Sequence, residues 1–171
     1  MVNNTPSNQH TLAEKVAVSL IERGWTISLA ESCTGGLVCA ALTEVAGSSD
    51  WFERGYITYS NPAKTSCLGV RAETIDSFGA VSEPVATAMA QGAQHNANVN
   101  VAIAITGIAG PTGGSQEKPV GTICFAWAIR SHLQDPGNIT ACTMHFSGDR
   151  QKIREQARDY ALTQFLELLK T

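Results

Sequence analysis

The stretch Val-Asn-Val-Ala-Ile-Ala-Ile-Thr at 99–106 restricts the fold more than any other part of this chain. It is nearly continuous apolar sequence, short and rich in β-branched residues, which reads as a strand buried on both faces. A strand of that kind needs helices over each side of its sheet. The remaining sequence has them to offer.

Residues 11–23 carry Leu12, Val16 and Leu20 at helical spacing, opened by a Thr11/Glu14 capping box and closed by Gly24. A short β-rich segment at 25–30 leads into a small-residue turn at 32–36. Helix resumes over 37–45 and stops near Gly47, and a second strand is expected over 55–59. Asn61 and Pro62 supply a cap and a first-turn proline for a helix that ends at Gly69. Two more helices are expected over 72–78 and 82–96, the second entered through Ser82-Glu83-Pro84. Segments 121–130 and 139–146 could pair antiparallel across a polar connection. A last helix over 149–169 buries Ile153, Ala157, Tyr160, Ala161 and Phe165. This order predicts an α/β fold, a three-layer α/β/α sandwich with a mixed β-sheet, in a single domain. The polar residues 1–10 are expected to form a disordered lead, and 11–171 the domain.

Composition removes several function classes. The chain is 43% hydrophobic and 16% charged, ordinary for a globular protein. No apolar run approaches the ~18 residues that suggest a membrane span. Residues 1–10 lack the basic-then-apolar order of a signal peptide, so a cytoplasmic protein without a membrane partner is expected. A net charge of −3 argues against a nucleic-acid partner, which would call for a basic face. Five cysteines, with no Cys-x-x-Cys pair or Cys/His cluster, read as reduced thiols and give no metal site.

Three places have the composition of a site, each at the end of an expected strand, where α/β proteins bind ligands. In Glu31-Ser32-Cys33-Thr34-Gly35-Gly36, a serine sits among free backbone N–H groups at a helix start, which can stabilise an oxyanion. A capped helix start with turning glycines would look the same. In the segment Tyr59-Ser60-Asn61-Pro62-Ala63-Lys64, a lysine falls early in a helix, where a positive charge is disfavoured. If partly buried, it could be neutral and take a proton from a serine, with Tyr59 relaying that proton or orienting the lysine. A solvated surface lysine is the bland alternative. In 106–114, Thr106, Gly107, Gly110, Pro111, Thr112, Gly113 and Gly114 suit a loop that wraps an anion such as phosphate. It is neither a P-loop nor a dinucleotide fingerprint, and a flexible connection would also explain it.

Other arrangements remain open on residues alone. A Ser32/His145/Asp149 triad needs only a meeting in space, and Cys33 is a rival nucleophile because thiolates need less activation. Arg150 and Arg154 open the last helix, where arginine is poorly matched to the dipole, which hints at a held anion. A surface salt bridge would serve equally.

Six blocks carry a resemblance. They are Leu-Ala-Glu-Ser-Cys-Thr-Gly-Gly (29–36), Gly-Tyr-Ile-Thr-Tyr-Ser-Asn-Pro-Ala-Lys (55–64), Gly-Ala-Val-Ser-Glu (79–83), Ala-Ile-Thr-Gly-Ile-Ala-Gly-Pro-Thr-Gly-Gly (104–114), Lys-Pro-Val-Gly-Thr (118–122) and Phe-Ser-Gly-Asp-Arg (146–150). In this order and spacing the chain resembles the nicotinamide-nucleotide amidase family, the C-terminal domain family of the competence-damage-inducible protein CinA. The resemblance implies hydrolysis of the carboxamide of nicotinamide mononucleotide to nicotinic acid mononucleotide and ammonia, a step of pyridine-nucleotide salvage needing no metal or other cofactor. It implies a serine nucleophile at Ser32 with Tyr59, Lys64 and Arg150 as catalytic partners. Around them, Glu31, Cys33, Thr34, Gly35, Gly36, Asn61 and the 106–114 loop are expected to bind substrate. It further implies the stand-alone form of the domain, and a homodimer or higher homo-oligomer whose one other partner is the small nucleotide.

Overall fold

Side-chain alternation on the central strand organises the molecule, a computed structural model that describes residues 10–170. The expected lead at 1–10 therefore lies, apart from His10, outside the described residues. The described residues form five strands, β1 (Ile27–Glu31), β2 (Phe52–Ile57), β3 (Val101–Gly107), β4 (Thr122–Ile129) and β5 (Asn138–His145). They lie in the order β2-β1-β3-β4-β5. β1 runs parallel to β2 and β3, whereas β4 is antiparallel to β3 and β5, so the sheet is mixed as expected.

Successive side chains of a strand point to opposite faces. On one face, Val101, Ile103 and Ile105 join Ile123, Phe125 and Trp127 of β4 in a core closed by three helices. These are α1 (Leu12–Arg23), α2 (Leu37–Thr43) and α6 (Arg150–Leu168). On the other face, Ala102, Ala104, Ala126 and Ala128 meet Ala86, Met89, Ala90 and Ala93 of α5 (Glu83–Ala97). Bulky side chains thus fill one layer gap and methyl groups the other, and both faces are covered. The three-layer expectation is borne out.

Two shorter helices, α3 (Asn61–Leu68) and α4 (Ala72–Phe78), pack on α5. Gly92 of α5 backs onto the Leu68 carbonyl so closely that a Cβ would collide with it. That contact seats α3.

Local signals and their outcomes can be compared element by element. The Thr11/Glu14 capping box forms, with the Thr11 N–H donating to Glu14 Oε2 at 2.6 Å and the Glu14 N–H to Thr11 Oγ1 at 3.2 Å. Gly24 closes α1 at φ +63°. The cap of α3 is a correction: it is Ser60, whose hydroxyl accepts from the Ala63 N–H at 3.2 Å, and Asn61 is already helical. β2 is also corrected, since it begins at Phe52 rather than at 55 and ends at Ile57. Parallel pairing with β1 draws the polar residues Glu53 and Arg54 into this exposed edge strand. Among the described residues no helix is long and apolar enough to cross a membrane.

Candidate active site

The parallel strands β1, β2 and β3 end on one side of the sheet, and the chain bends there into the segments singled out above. The Ser32 N–H donates to the Ile105 carbonyl at 2.9 Å, and the Thr58 N–H to the Glu31 carbonyl at 2.9 Å. These two bonds extend the ladder by one residue past each strand, fixing Ser32 between β2 and β3. Ser60 then starts α3 at once. Helical side chains lean back towards the N-terminus, so Lys64 returns to the strand ends from which its helix departs. Its Nζ donates to Ser32 Oγ at 3.0 Å and to the Thr58 carbonyl at 3.0 Å.

Lys64 is 1% exposed, and among the described residues it has no carboxylate in an ion pair. Burial pushes its ammonium below the ordinary lysine range, because the charged form loses hydration. The solvated-lysine alternative is therefore excluded. Cys33 has the opposite character. The residue is 6% exposed and packed into the core, and burial pushes its thiol up to about 12, which leaves it protonated at neutral pH.

Ser32, Cys33, Tyr59, Asn61, Lys64, Thr106, Gly107 and Arg150 line one cleft of about 180 Å³, together with Ala80, Val81 and Ala109. At its rim Arg150 Nη1 donates to the Gly110 carbonyl at 2.7 Å and Nη2 to the Tyr59 hydroxyl at 2.8 Å. The Tyr59 ring is 59% exposed. Thr106 Oγ1 donates to the Ala80 carbonyl at 2.8 Å and so fixes the cleft wall.

Other expected site residues lie elsewhere. Glu31, expected to bind substrate, is fully buried and faces away from the cleft towards α2. Its Oε2 accepts from the N–H groups of Gly36 at 2.9 Å and Val38 at 3.3 Å, and its Oε1 from Cys39 at 2.8 Å. It caps a helix whose own N-cap, Gly36, has no side chain. The N–H of Gly35 closes the turn onto the Ser32 carbonyl at 3.0 Å, and both glycines take positive φ (+60° and +98°). Pro111, Thr112, Gly113 and Gly114 are exposed and outside the lining. A Cβ at Gly110 or Gly114 would collide with Val120, so those glycines let the loop fold back on that residue. Thr34 is buried beneath the turn.

The triad does not assemble. His145 ends the outer strand β5 and is exposed, while the Asp149 carboxylate accepts from the Lys152 N–H at 2.9 Å as the cap of α6. Among the described residues Arg154 binds no carboxylate but the carbonyls of Cys33 and Thr34. Sequence reasoning passes over Thr58, which acts through a backbone carbonyl and leaves no side-chain signal. Among the described residues, no group of three or more His, Cys, Asp or Glu could hold a metal.

These features define a three-layer α/β protein with a buried serine–lysine pair beneath a cleft at its strand ends. The chain belongs to the CinA C-terminal domain family, whose sequence model matches residues 9–169. It is 51% identical over 158 residues to nicotinamide-nucleotide amidohydrolase PncC of Escherichia coli K12, covering 92% of this chain and 93% of that protein. A protein of the same name from Enterobacter agglomerans is 47% identical over 153 residues, 90% of each chain. A putative competence-damage inducible protein of Symbiobacterium thermophilum is 51% identical over 159 residues, and there the chain spans 37% of its relative's length. Among solved structures, the competence/damage inducible protein CihA from Agrobacterium tumefaciens superposes with a TM-score of 0.86 at 44% identity, covering 92% of this chain and 93% of that one.

Proposed function

We infer that this chain is a nicotinamide-nucleotide amidohydrolase, releasing ammonia from nicotinamide mononucleotide through an acyl-enzyme on Ser32. The observation that carries the reading is the 3.0 Å approach of Lys64 Nζ to Ser32 Oγ in a setting that favours neutral lysine. Relatives near 50% identity that bear the amidohydrolase name support the substrate class.

In the reaction, neutral Lys64 takes the Ser32 proton as Oγ attacks the carboxamide carbon. The resulting ammonium returns the proton to the departing nitrogen, so ammonia leaves and the acyl ester remains. Water, deprotonated by the same lysine, then attacks the ester carbon, and the lysine passes that proton to Ser32 Oγ as the acid leaves, which restores both groups. The proton passes directly, because Nζ and Oγ are already in hydrogen-bond contact at 3.0 Å. Cys33 takes no part as nucleophile, since its buried thiol stays protonated.

A cleft of about 180 Å³ is too small for a whole nucleotide, because small-molecule pockets run to ~300 Å³ or more. It takes the pyridine ring and carboxamide. The ribose phosphate lies across the rim, where the Arg150 guanidinium meets the phosphate. The direct test is an ammonia assay on purified protein with nicotinamide mononucleotide. Ammonia release that disappears in Ser32→Ala supports the reading, whereas binding of the nucleotide without ammonia release would make the protein a pyridine-nucleotide-binding module instead.

A further inference from the structure

Arg154 lies one turn into α6, outside the lining of the cleft. Among the described residues it forms no ion pair. Its Nε donates to the Cys33 carbonyl at 3.0 Å and its Nη2 to the Thr34 carbonyl at 2.7 Å. A guanidinium fork usually grips one carboxylate or phosphate. Here it grips two consecutive peptide carbonyls immediately after Ser32. A Cβ at Gly35 would only touch Nη2, at 3.4 Å, and it is the φ of +60° that favours glycine there.

A trans peptide is planar, with its C=O and N–H pointing in opposite directions. Holding the Cys33 carbonyl towards α6 therefore turns the Thr34 N–H away from α6. Holding the Ser32 carbonyl on the Gly35 N–H orients the Cys33 N–H in the same manner. Of the four N–H groups after Ser32, that of Gly35 goes to the Ser32 carbonyl and that of Gly36 to Glu31. Those of Cys33 and Thr34 donate to no other described residue, although the two residues are only 6% and 0% exposed. Buried N–H groups without a partner are rare and costly. That of Cys33 belongs to a residue lining the cleft, beside a serine in contact with a buried lysine, and is left for an acceptor that arrives with the substrate.

We propose that Arg154 is a positioning residue for acyl transfer, bracing the Cys33–Thr34 turn so that the N–H of Cys33, which lines the cleft, receives the oxyanion formed on Ser32. The proposal rests on Ser32 being the nucleophile. If Arg154 merely fastens α6 to the core, its loss lowers stability and all ligand affinities together.

The aldehyde analogue of nicotinamide mononucleotide separates these outcomes. Ser32 Oγ adds to its aldehyde carbon, the serine proton passes through Lys64 to the new oxyanion, and a hemiacetal results. Affinity for this analogue is compared with that for nicotinic acid mononucleotide in the parent protein, Ser32→Ala, Arg154→Gln and Arg154→Lys. The parent is expected to prefer the aldehyde, and Ser32→Ala to abolish that preference. Arg154→Gln is expected to lose about 10²-fold in both aldehyde preference and kcat, the range for one oxyanion donor. Its KM and product affinity should change little, and Arg154→Lys should recover part of the loss. Full aldehyde preference in both Arg154 variants overturns the proposal, as does an equal loss of both affinities. No aldehyde preference in the parent, or its survival in Ser32→Ala, overturns the Ser32 reading itself.

Discussion

Lys64 and Ser32 stand 32 positions apart in the chain and meet at their side-chain tips, 3.0 Å from Nζ to Oγ. Each comes from the residues that follow a parallel strand, so the contact is a product of sheet register more than of either local sequence. A lysine desolvated beside a serine can only act as a base when neutral, which makes the pair sensitive to pH.

Because burial lowers the Lys64 pKa, kcat should rise with pH through that lowered value and level off below the ordinary lysine value of about 10.4. Lys64→Arg keeps the charge at every accessible pH and should lose turnover by roughly 10³-fold or more while still binding product. A pH–rate profile and product titration check both. A rate within tenfold of the parent in Lys64→Arg would remove the lysine from the mechanism.

The same shift has a stability consequence of fixed sign. A lysine whose folded pKa is depressed binds fewer protons folded than unfolded, so its contribution rises with pH between the two values. The parent should therefore gain stability relative to Lys64→Met as pH rises from the lowered folded value towards the unfolded lysine value of about 10.4. Denaturant unfolding at several pH values measures this, and an unchanged difference would mean that Lys64 is charged in the folded state.

Ser32→Ala should abolish ammonia release, and Cys33→Ala should retain it within about tenfold, allowing for repacking at a buried site. With its thiol pushed up to about 12, Cys33 should also resist alkylation in the folded protein. The opposite pattern of activity in the two variants would assign the chemistry to the cysteine.

Arg150→Ala should raise KM for the mononucleotide by about tenfold or more, in line with the loss of a charge-assisted phosphate contact. For the riboside, which has no phosphate, KM should hardly move. Tyr59→Phe removes the hydroxyl that accepts from Arg150 but no proton carrier, so kcat should stay within about tenfold. A loss of kcat comparable to that in Lys64→Arg would restore Tyr59 as a relay.

Glu31→Gln should destabilise the protein by ~1–2 kcal/mol, as for loss of a helix cap. In a domain of this size that lowers Tm by about 2–8 °C. Since Glu31 holds the far side of the turn after Ser32 and lies outside the cleft lining, kcat should fall more than product affinity. Calorimetry with steady-state kinetics decides it.

Much of this is legible in the sequence wherever the deciding contacts are local. The Thr11/Glu14 box spans three residues, and the alternation in β3 needs no partner to be recognised. Ser32, Lys64 and Tyr59 can be nominated from their turns and from the family blocks. What escapes is governed by distance along the chain. Glu31 reads as a polar residue in a glycine turn, and its cap role depends on α2 folding back over β1. Arg154 reads as an ill-placed charge on a helix start, because its acceptors are carbonyls 120 and 121 residues away. Ser60 and Asn61 are both good caps, and backbone geometry alone chooses between them.

The alanine face of the sheet sets more than the packing of α5. Since α3 leans on α5 at Gly92, and α3 carries Lys64, the gap between Lys64 and Ser32 is gauged by a row of methyl groups outside the cleft lining. One added methylene at Ala104 or Ala126 would act like a shim under the helix layer and lift the lysine from the serine. Alignment of the Lys64–Ser32 pair is thus a matter of tolerances in the core, and a search for rate-altering substitutions should include residues outside the cleft.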